Sequence, residues 1–289
     1  MTSPSILVVG PTGTVGREVI NALGTEGHRA RALVRNPAKA SLFDENVEIV
    51  IGDLSQPETL APAFRNIEAA FIVAPPSPEL EILEANAFEA ARRAGVKQIV
   101  YLSNFGAGTF GPPVWDWHGS SESRLQDLKI PFAILRPARF MTDTPFPFSW
   151  MGIKDRSVLA EGTGEGKITM IDPRDIGAVA AKILTAGGHE GKTYELTSAD
   201  ILRGDEIAQK IGAVLGKDIR FVKADQQESR SLMTRVGIPG FVIETVLRYY
   251  ETVRENRWYT TAAVADILGR APRSYDAWLR EKAEGFFTA

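Results

Sequence analysis

Apolar runs alternate with amphipathic stretches along the first half of the chain. Residues 6–9 form an uninterrupted apolar run that leads into glycines at 10, 13 and 16, the pattern of a buried strand, a tight turn and a helix start. VINALGTEGH closes a first helix, residues 29–35 read as a second strand, and residues 47–51 as a third before GDL. Residues 69–74 and 98–102 continue the series. Between them Leu80, Leu83, Ala87, Ala91 and Ala94 recur at near-helical spacing, which predicts a packed helix over 80–94. A further helix runs from about 120 to 128. Residues 132–135, short and apolar between Pro131 and Pro137, then read as a buried strand. This cadence is that of an α/β fold, a doubly wound parallel Rossmann sheet covered by helices.

The pattern changes after Pro137. TPFPFSWMG (144–152) is aromatic and proline-rich, and GTGEGKITM (162–170) reads as a loop feeding a strand. Asp172 as N-cap and Pro173 in the first turn open a helix over 171–184 that returns to the main domain. Residues 191–197 suit a short strand, while 203–215, 241–255 and 272–286 suit helices. The expected organisation is a core of residues 1–150 completed by segments around 168–198. A smaller, mostly helical C-terminal lobe over 151–289 interleaves with it. No repeat or separating linker interrupts the chain.

Composition narrows the function. With 289 residues, 44% of them hydrophobic, the chain can bury a large core. A formal charge of -3 without a concentrated Lys/Arg tract gives no bulk attraction to nucleic acid. There is no cysteine, which excludes disulfides, thiol nucleophiles and thiolate metal sites, and His28, His118 and His189 are too scattered for a metal centre. No secretory h-region or segment of transmembrane length is evident, so a soluble cytoplasmic protein without membrane contact is expected. A homodimer is compatible with the sequence.

The glycine turn carries the chemistry. Its geometry places backbone N–H groups and a positive helix end against a pyrophosphate, whereas the lysine and hydroxyl of a P-loop are absent. An ordinary strand-to-helix turn is the alternative. At the end of the second strand, an acidic residue would hold the ribose hydroxyls of NAD, and a basic one the 2′-phosphate of NADP. Here stand Arg35, Asn36 and Lys39, with no acid until Asp44, which favours NADP(H) over a merely solvated loop. Asp53 suits either a helix cap or a place beside the adenine.

These segments together resemble the NmrA-like branch of the atypical short-chain dehydrogenase/reductase superfamily. The matching stretches are GPTGTVG (10–16), LVRNPAK (33–39), GDL (52–54), YLSNFGA (101–107), HGSSE (118–122), IPFAILRPARFM (130–141) and IDPRDIGAVAA (171–181). The resemblance implies a Rossmann core with a small C-terminal lobe, frequent NADP binding, and either reduction of quinones, azo compounds and other conjugated substrates or a redox-sensing regulatory role. It assigns Gly10, Thr12, Gly13, Thr14, Val15 and Gly16 to the phosphate turn, and Arg35 and Lys39 to the 2′-phosphate. Asp53 and Leu54 would flank the adenine. Ala74, Pro75 and Pro76 would pass over the nicotinamide ribose, with Ser103 and Asn104 on the nicotinamide side.

One departure stands out. Ordinary dehydrogenases of this superfamily carry a YxxxK pair, and the matching positions here are His118 and Glu122. At i, i+4 on a helix, Glu122 would orient or stabilise a charged His118 and allow proton donation near neutral pH. The same spacing also makes a ligand-positioning pair or an ordinary structural one. Loss of the tyrosine and lysine argues against routine alcohol oxidation, and less against hydride addition to an electron-poor acceptor, where solvent supplies the proton. Trp117, Phe140, Met141, Phe146, Phe148 and Trp150, with Arg139, are candidates for a flat apolar substrate site, or else for core packing. The leading reading is therefore an NADPH-dependent oxidoreductase that passes hydride to a quinone, azo compound, enone or imine. Its rival is a non-enzymatic NADP(H) sensor acting through protein contacts.

Overall fold

A computed structural model describes residues 5–286, the side chains at 148 and 283–286 excepted. The chain begins with β1 (Ile6–Val9), α1 (Thr14–Thr25), β2 (Ala30–Val34), β3 (Glu48–Ile51), α2 (Ala61–Phe64) and β4 (Ala69–Ile72). It continues through α3 (Leu80–Ala94), β5 (Gln98–Leu102), α4 (Val114–Asp127), β6 (Phe132–Pro137), β7 (Arg139–Phe140), α5 (Trp150–Arg156), β8 (Val158–Glu161) and β9 (Lys167–Ile171). After α6 (Pro173–Thr185) and β10 (Lys192–Leu196) come β11 (Ile201–Arg203), α7 (Gly204–Leu215), β12 (Arg220–Lys223), α8 (Gln226–Arg235), α9 (Gly240–Arg254), α10 (Ala263–Leu268) and α11 (Tyr275–Phe286).

Two compact units result. The first comprises everything up to Thr109, Val114–Pro137 and Pro173–Glu195. Its seven-stranded sheet has the order β10-β6-β5-β4-β1-β2-β3. The pairings from β6 to β3 are parallel, and β10 runs the same way, since Gly191 N–H donates to Phe132 O at one end and Ala138 N–H to Leu196 O at the other. Helices on both faces explain why β1, β2 and β4 are buried along their whole length instead of alternating. Leu7, Val9, Phe64, Ile72, Phe88, Tyr101 and Ile134 form the centre of one such core. The strand order reverses between β1 and β4, and ligands of open α/β sheets bind at the carboxyl ends flanking such a reversal.

The second unit comprises Phe110–Pro113, Ala138–Asp172 and everything from Leu196 onward. It holds a three-stranded sheet, β11-β9-β7, a parallel pair, β12-β8, and the helices α5 and α7 to α11. Its buried centre includes Leu159, Ile211, Tyr250, Tyr275 and Trp278.

Two local expectations differ from the structure. Helix α4 starts at Val114 instead of about 120, because Val114, Trp115, His118, Ser121, Glu122 and Leu125 make one buried face whose polar members mask its helical period. The aromatic, proline-rich stretch, for which the sequence predicts no helix, contains a 3-10 turn and the start of α5. Among the described residues no helix is long and apolar enough to cross a membrane.

Candidate active site

The turn after β1 is built by exclusion of side chains. Gly10 has φ +74°, and a Cβ there would meet Val73 at 2.7 Å. A Cβ on Gly16 would lie 2.1 Å from the Gly10 carbonyl oxygen, so only glycine lets α1 begin this close to the turn. Gly13 N–H donates to Gly10 O at 3.2 Å and caps α1 without any side-chain hydrogen bond. The first amides of a helix have no carbonyl one turn earlier to bind, and the first turn of α1 has no acidic residue to compete for them. Gly13 and Thr14 are exposed, Thr12 is half-buried and Val15 is buried, so the amide end is open to an anion while the apolar side anchors the helix. These residues fit a pyrophosphate.

The neighbouring strand ends bring the other candidates to the same rim. Arg35 follows β2 and is exposed, as is Lys39 in the next 3-10 turn, which Asn36 opens by accepting from Ala38 N–H at 3.0 Å. Asp53, after β3, accepts from the Ser55 amide and hydroxyl at 2.9 and 2.8 Å. The Ser55 amide is the main cause of its lowered pKa, and Arg35 adds to the effect. Asp53 therefore closes its own turn within reach of the Arg35 field. Leu54 packs on the core and its carbonyl accepts from Asn86 at 2.7 Å. Ala74 is buried after β4, with Pro75 and Pro76 exposed beyond it. Ser103 is buried and Asn104 half-buried after β5.

His118 and Glu122 share the buried face of α4, but they do not serve one another. Glu122 receives Arg136 through Nε at 2.9 Å and Nη2 at 2.5 Å, and its Oε1 also accepts from Ser103 Oγ at 2.5 Å. His118 Nδ1 instead lies 2.8 Å from the Tyr101 hydroxyl. Burial without a carboxylate partner pushes the His118 pKa down to about 4, so the imidazole is neutral at physiological pH. The expected charged histidine held by Glu122 is corrected accordingly.

The same Tyr101 hydroxyl lies 2.8 Å from Glu84 Oε2. Glu84 is fully buried on α3, and burial raises its pKa to about 8. The Ser121 hydroxyl and the Ala74 backbone soften that cost without completing a hydrogen bond to Glu84 Oε1. Sequence reasoning missed Glu84 and gave Tyr101 no role. The available signal was a carboxylate four residues after Leu80, inside the apolar stripe of α3.

The substrate candidates separate. Trp117 lies half-buried on α4 of the first unit, while Phe140, Phe146 and Trp150 lie half-buried in the second. The Phe148 side chain lies outside the described residues. Met141 is fully buried, which leaves it as packing. Arg139 is also interior: Nη1 donates to Tyr249 Oη at 2.8 Å, Nη2 to Asp143 O at 2.7 Å, and Glu161 accepts from both at 3.3 to 3.4 Å. Its guanidinium lies 3.8 Å from the Phe146 ring centroid. A side chain so engaged holds its own unit together instead of facing a ligand.

A profile of the NmrA-like family matches residues 2–266. The chain is 31% identical to an NAD(P)H azoreductase of Xenophilus azovorans over 98% of this chain and all of that one. It is 32% identical to a Streptomyces griseus (4-alkanoyl-5-oxo-2,5-dihydrofuran-3-yl)methyl phosphate reductase, covering 97% and 99% of the two chains. Triphenylmethane reductase of Citrobacter sp., crystallised with NADP(H), superposes with a TM-score of 0.87 at 27% identity, covering 96% of this chain and 99% of that one. The glycine turn at the sheet reversal, the basic end of β2 and these full-length similarities lead to one conclusion: the chain belongs to the NmrA-like family.

Proposed function

We propose that this chain is an NADPH-dependent reductase that passes hydride to a small, flat, apolar conjugated acceptor such as a quinone, azo compound, enone or imine. The observation that carries the proposal is an open-amide phosphate turn beside a cationic strand end, with Arg35 and Lys39 exposed and no carboxylate between Arg35 and Asp44. In this reading Gly10, Thr12, Gly13, Thr14, Val15 and Gly16 hold the pyrophosphate, and Arg35 and Lys39 take the 2′-phosphate. Asp53 and Leu54 flank the adenine, Ala74, Pro75 and Pro76 border the nicotinamide ribose, and Ser103 and Asn104 stand on the nicotinamide side.

NADPH supplies the hydride, and the protein contributes binding, orientation and a proton for the reduced acceptor. An azoreductase, an oxo-dihydrofuran reductase and a triphenylmethane reductase among the relatives support a conjugated acceptor. On sequence grounds Trp117 of the first unit and, in the second, Phe140, Phe146, Phe148 and Trp150 are separate candidates for apolar contact with it. In this reading the unit with the seven-stranded sheet is the cofactor domain. A cytoplasmic location, free of nucleic acid and membrane, accords with the charge of -3 and the absence of cysteine.

The test is acceptor-dependent loss of NADPH absorbance across quinones, azo dyes, enones and cyclic imines, with NADH and acceptor-free controls. Turnover that prefers NADPH is the expected result. Tight NADPH binding with no loss against any acceptor contradicts the proposal and favours a sensor.

A further inference from the structure

Reduction of a conjugated acceptor by hydride leaves an anion on nitrogen or oxygen that must take a proton. The first unit contains a buried row of three side chains with the chemistry to supply one. Glu84 on α3, Tyr101 on β5 and His118 on α4 meet through the Tyr101 hydroxyl, 2.8 Å from Glu84 Oε2 and 2.8 Å from His118 Nδ1. Tyr101 lies two residues before Ser103, at the carboxyl end of β5, the side of the sheet where the phosphate turn also opens. Phe88 packs edge-on against the tyrosine ring at 5.3 Å and holds it between the two partners.

A phenol has one proton and can donate to only one of two neighbours. If Glu84 is protonated, it donates to Tyr101 and Tyr101 donates to His118 Nδ1, which leaves the histidine proton on Nε2. If Glu84 is ionised, Tyr101 turns to the carboxylate, and His118 carries its proton on Nδ1 toward the tyrosine oxygen. The charge state of Glu84 thus selects the histidine tautomer through an intervening hydroxyl.

The surroundings favour the protonated acid at neutral pH. Glu84 is fully buried and its Oε1 is without a hydrogen-bond partner among the described residues. The other ionisable groups that bear on the row are Glu81 on α3 and Glu122 on α4, and Glu122 is already bound by Arg136 of β6. Among the described residues no cation offsets Glu84 directly, in keeping with its pKa of about 8.

Resting on the reductase reading above, we propose that Glu84 and Tyr101 position the proton of His118, and that the three together form a relay delivering a proton from His118 Nε2 to the reduced acceptor. The step balances. The acceptor has gained hydride and its two electrons from NADPH. The Nε2 proton then moves to the acceptor heteroatom, the Tyr101 proton to Nδ1, and the Glu84 proton to the tyrosine oxygen. The result is a neutral histidine of the other tautomer, an intact phenol and a Glu84 carboxylate, which solvent reprotonates. Tyr101 and Glu84 are positioning residues and His118 is the donor.

The direct test is nitrogen NMR of the ¹⁵N-histidine-labelled protein, with the His118 signals assigned by their loss in His118→Asn. The expected result is a neutral Nε2–H tautomer at pH 7 that gives way to Nδ1–H as pH passes about 8. Glu84→Gln, whose amide still donates to Tyr101, keeps the Nε2–H tautomer at all pH values. It lowers acceptor turnover by about 100-fold and abolishes the high-pH loss of activity. Tyr101→Phe loses both the tautomer preference and the activity. A His118 that protonates near pH 6.5, a tautomer indifferent to pH and to Glu84→Gln, or a Glu84→Gln variant with the wild-type pH profile overturns the relay. NADPH affinity checks that each variant is folded, and Glu84→Gln decides if Tyr101→Phe is not. Absence of turnover in the wild-type chain overturns the reductase reading and the donor role with it, an outcome distinct from turnover that ignores the relay.

Discussion

One buried cluster in each unit holds ionisable side chains, and these two clusters do so in opposite ways. In the second unit, Arg139 and Glu161 bring opposite charges together under Phe146 and Tyr249. Burial opposes the arginine charge, but Tyr249 and Glu161 more than offset it and hold its pKa above the ordinary value. In the first unit, Glu84 has a phenol and a neutral histidine for company, so burial wins and the acid keeps its proton. A matched pair is fixed in charge and serves architecture. An unmatched acid with a raised pKa stays responsive near neutral pH, which is the property that proton transfer requires.

The sharpest way to break this contrast is to unmatch the matched pair. Arg139→Met leaves Glu161 buried without its cation and lowers stability by about 3–5 kcal/mol, read by urea unfolding through tryptophan fluorescence. Adding Glu161→Gln recovers most of the loss. Equal losses in the single and double variants would show that the two charges are not coupled.

A smaller effect separates the titratable cluster from the fixed one. Glu84 has a folded-state pKa of about 8 against 4.5, so the native chain holds a proton that the unfolded chain has released, and stability falls as pH rises from 4.5 through 8. His118 acts in the other direction. Its pKa of about 4 against 6.5 makes stability fall as pH drops from 6.5 through 4. The two slopes cancel between 4.5 and 6.5, and above 6.5 that of Glu84 alone remains. From pH 6.5 to 8 the wild type loses about 2 kcal/mol, at ~1.4 kcal/mol per pH unit, relative to Glu84→Gln. Parallel stability curves for the two proteins would refute the raised pKa.

The exposed charges of the proposed cofactor rim provide the weakest and most specific case. Arg35→Ala weakens NADPH binding about tenfold, or ~1.4 kcal/mol, and leaves NADH nearly unchanged, because only NADPH carries the 2′-phosphate. Equal losses for both cofactors, measured by equilibrium titration, remove Arg35 from that role. Folding stability changes little, since the side chain is exposed.

The sheet was legible in the sequence where local and tertiary demands agree. The runs that became β1, β4, β5 and β6 are largely apolar because helices cover both faces, and α3 matches its expected span because its apolar period is nearly complete. The glycine turn after β1 was legible because close approach admits only glycine. The polar interior was not. Glu84 occupies a core position of α3 that hydrophobicity alone cannot identify, and its partners lie 17 and 34 residues further along the chain. Pairing Glu122 with His118 followed helix spacing, whereas Arg136 arrives from β6 and takes the carboxylate. Arg139 offered no sequence signal that its partners, Glu161 and Tyr249, would enclose it.

Transfer of hydride from NADPH to a conjugated acceptor is tested most directly with NADPH deuterated at the nicotinamide C4 position and an enone as acceptor. The account predicts that deuterium slows turnover and is recovered on carbon in the reduced product. NADPH that binds but is not oxidised, or a reduced product free of deuterium, would contradict it.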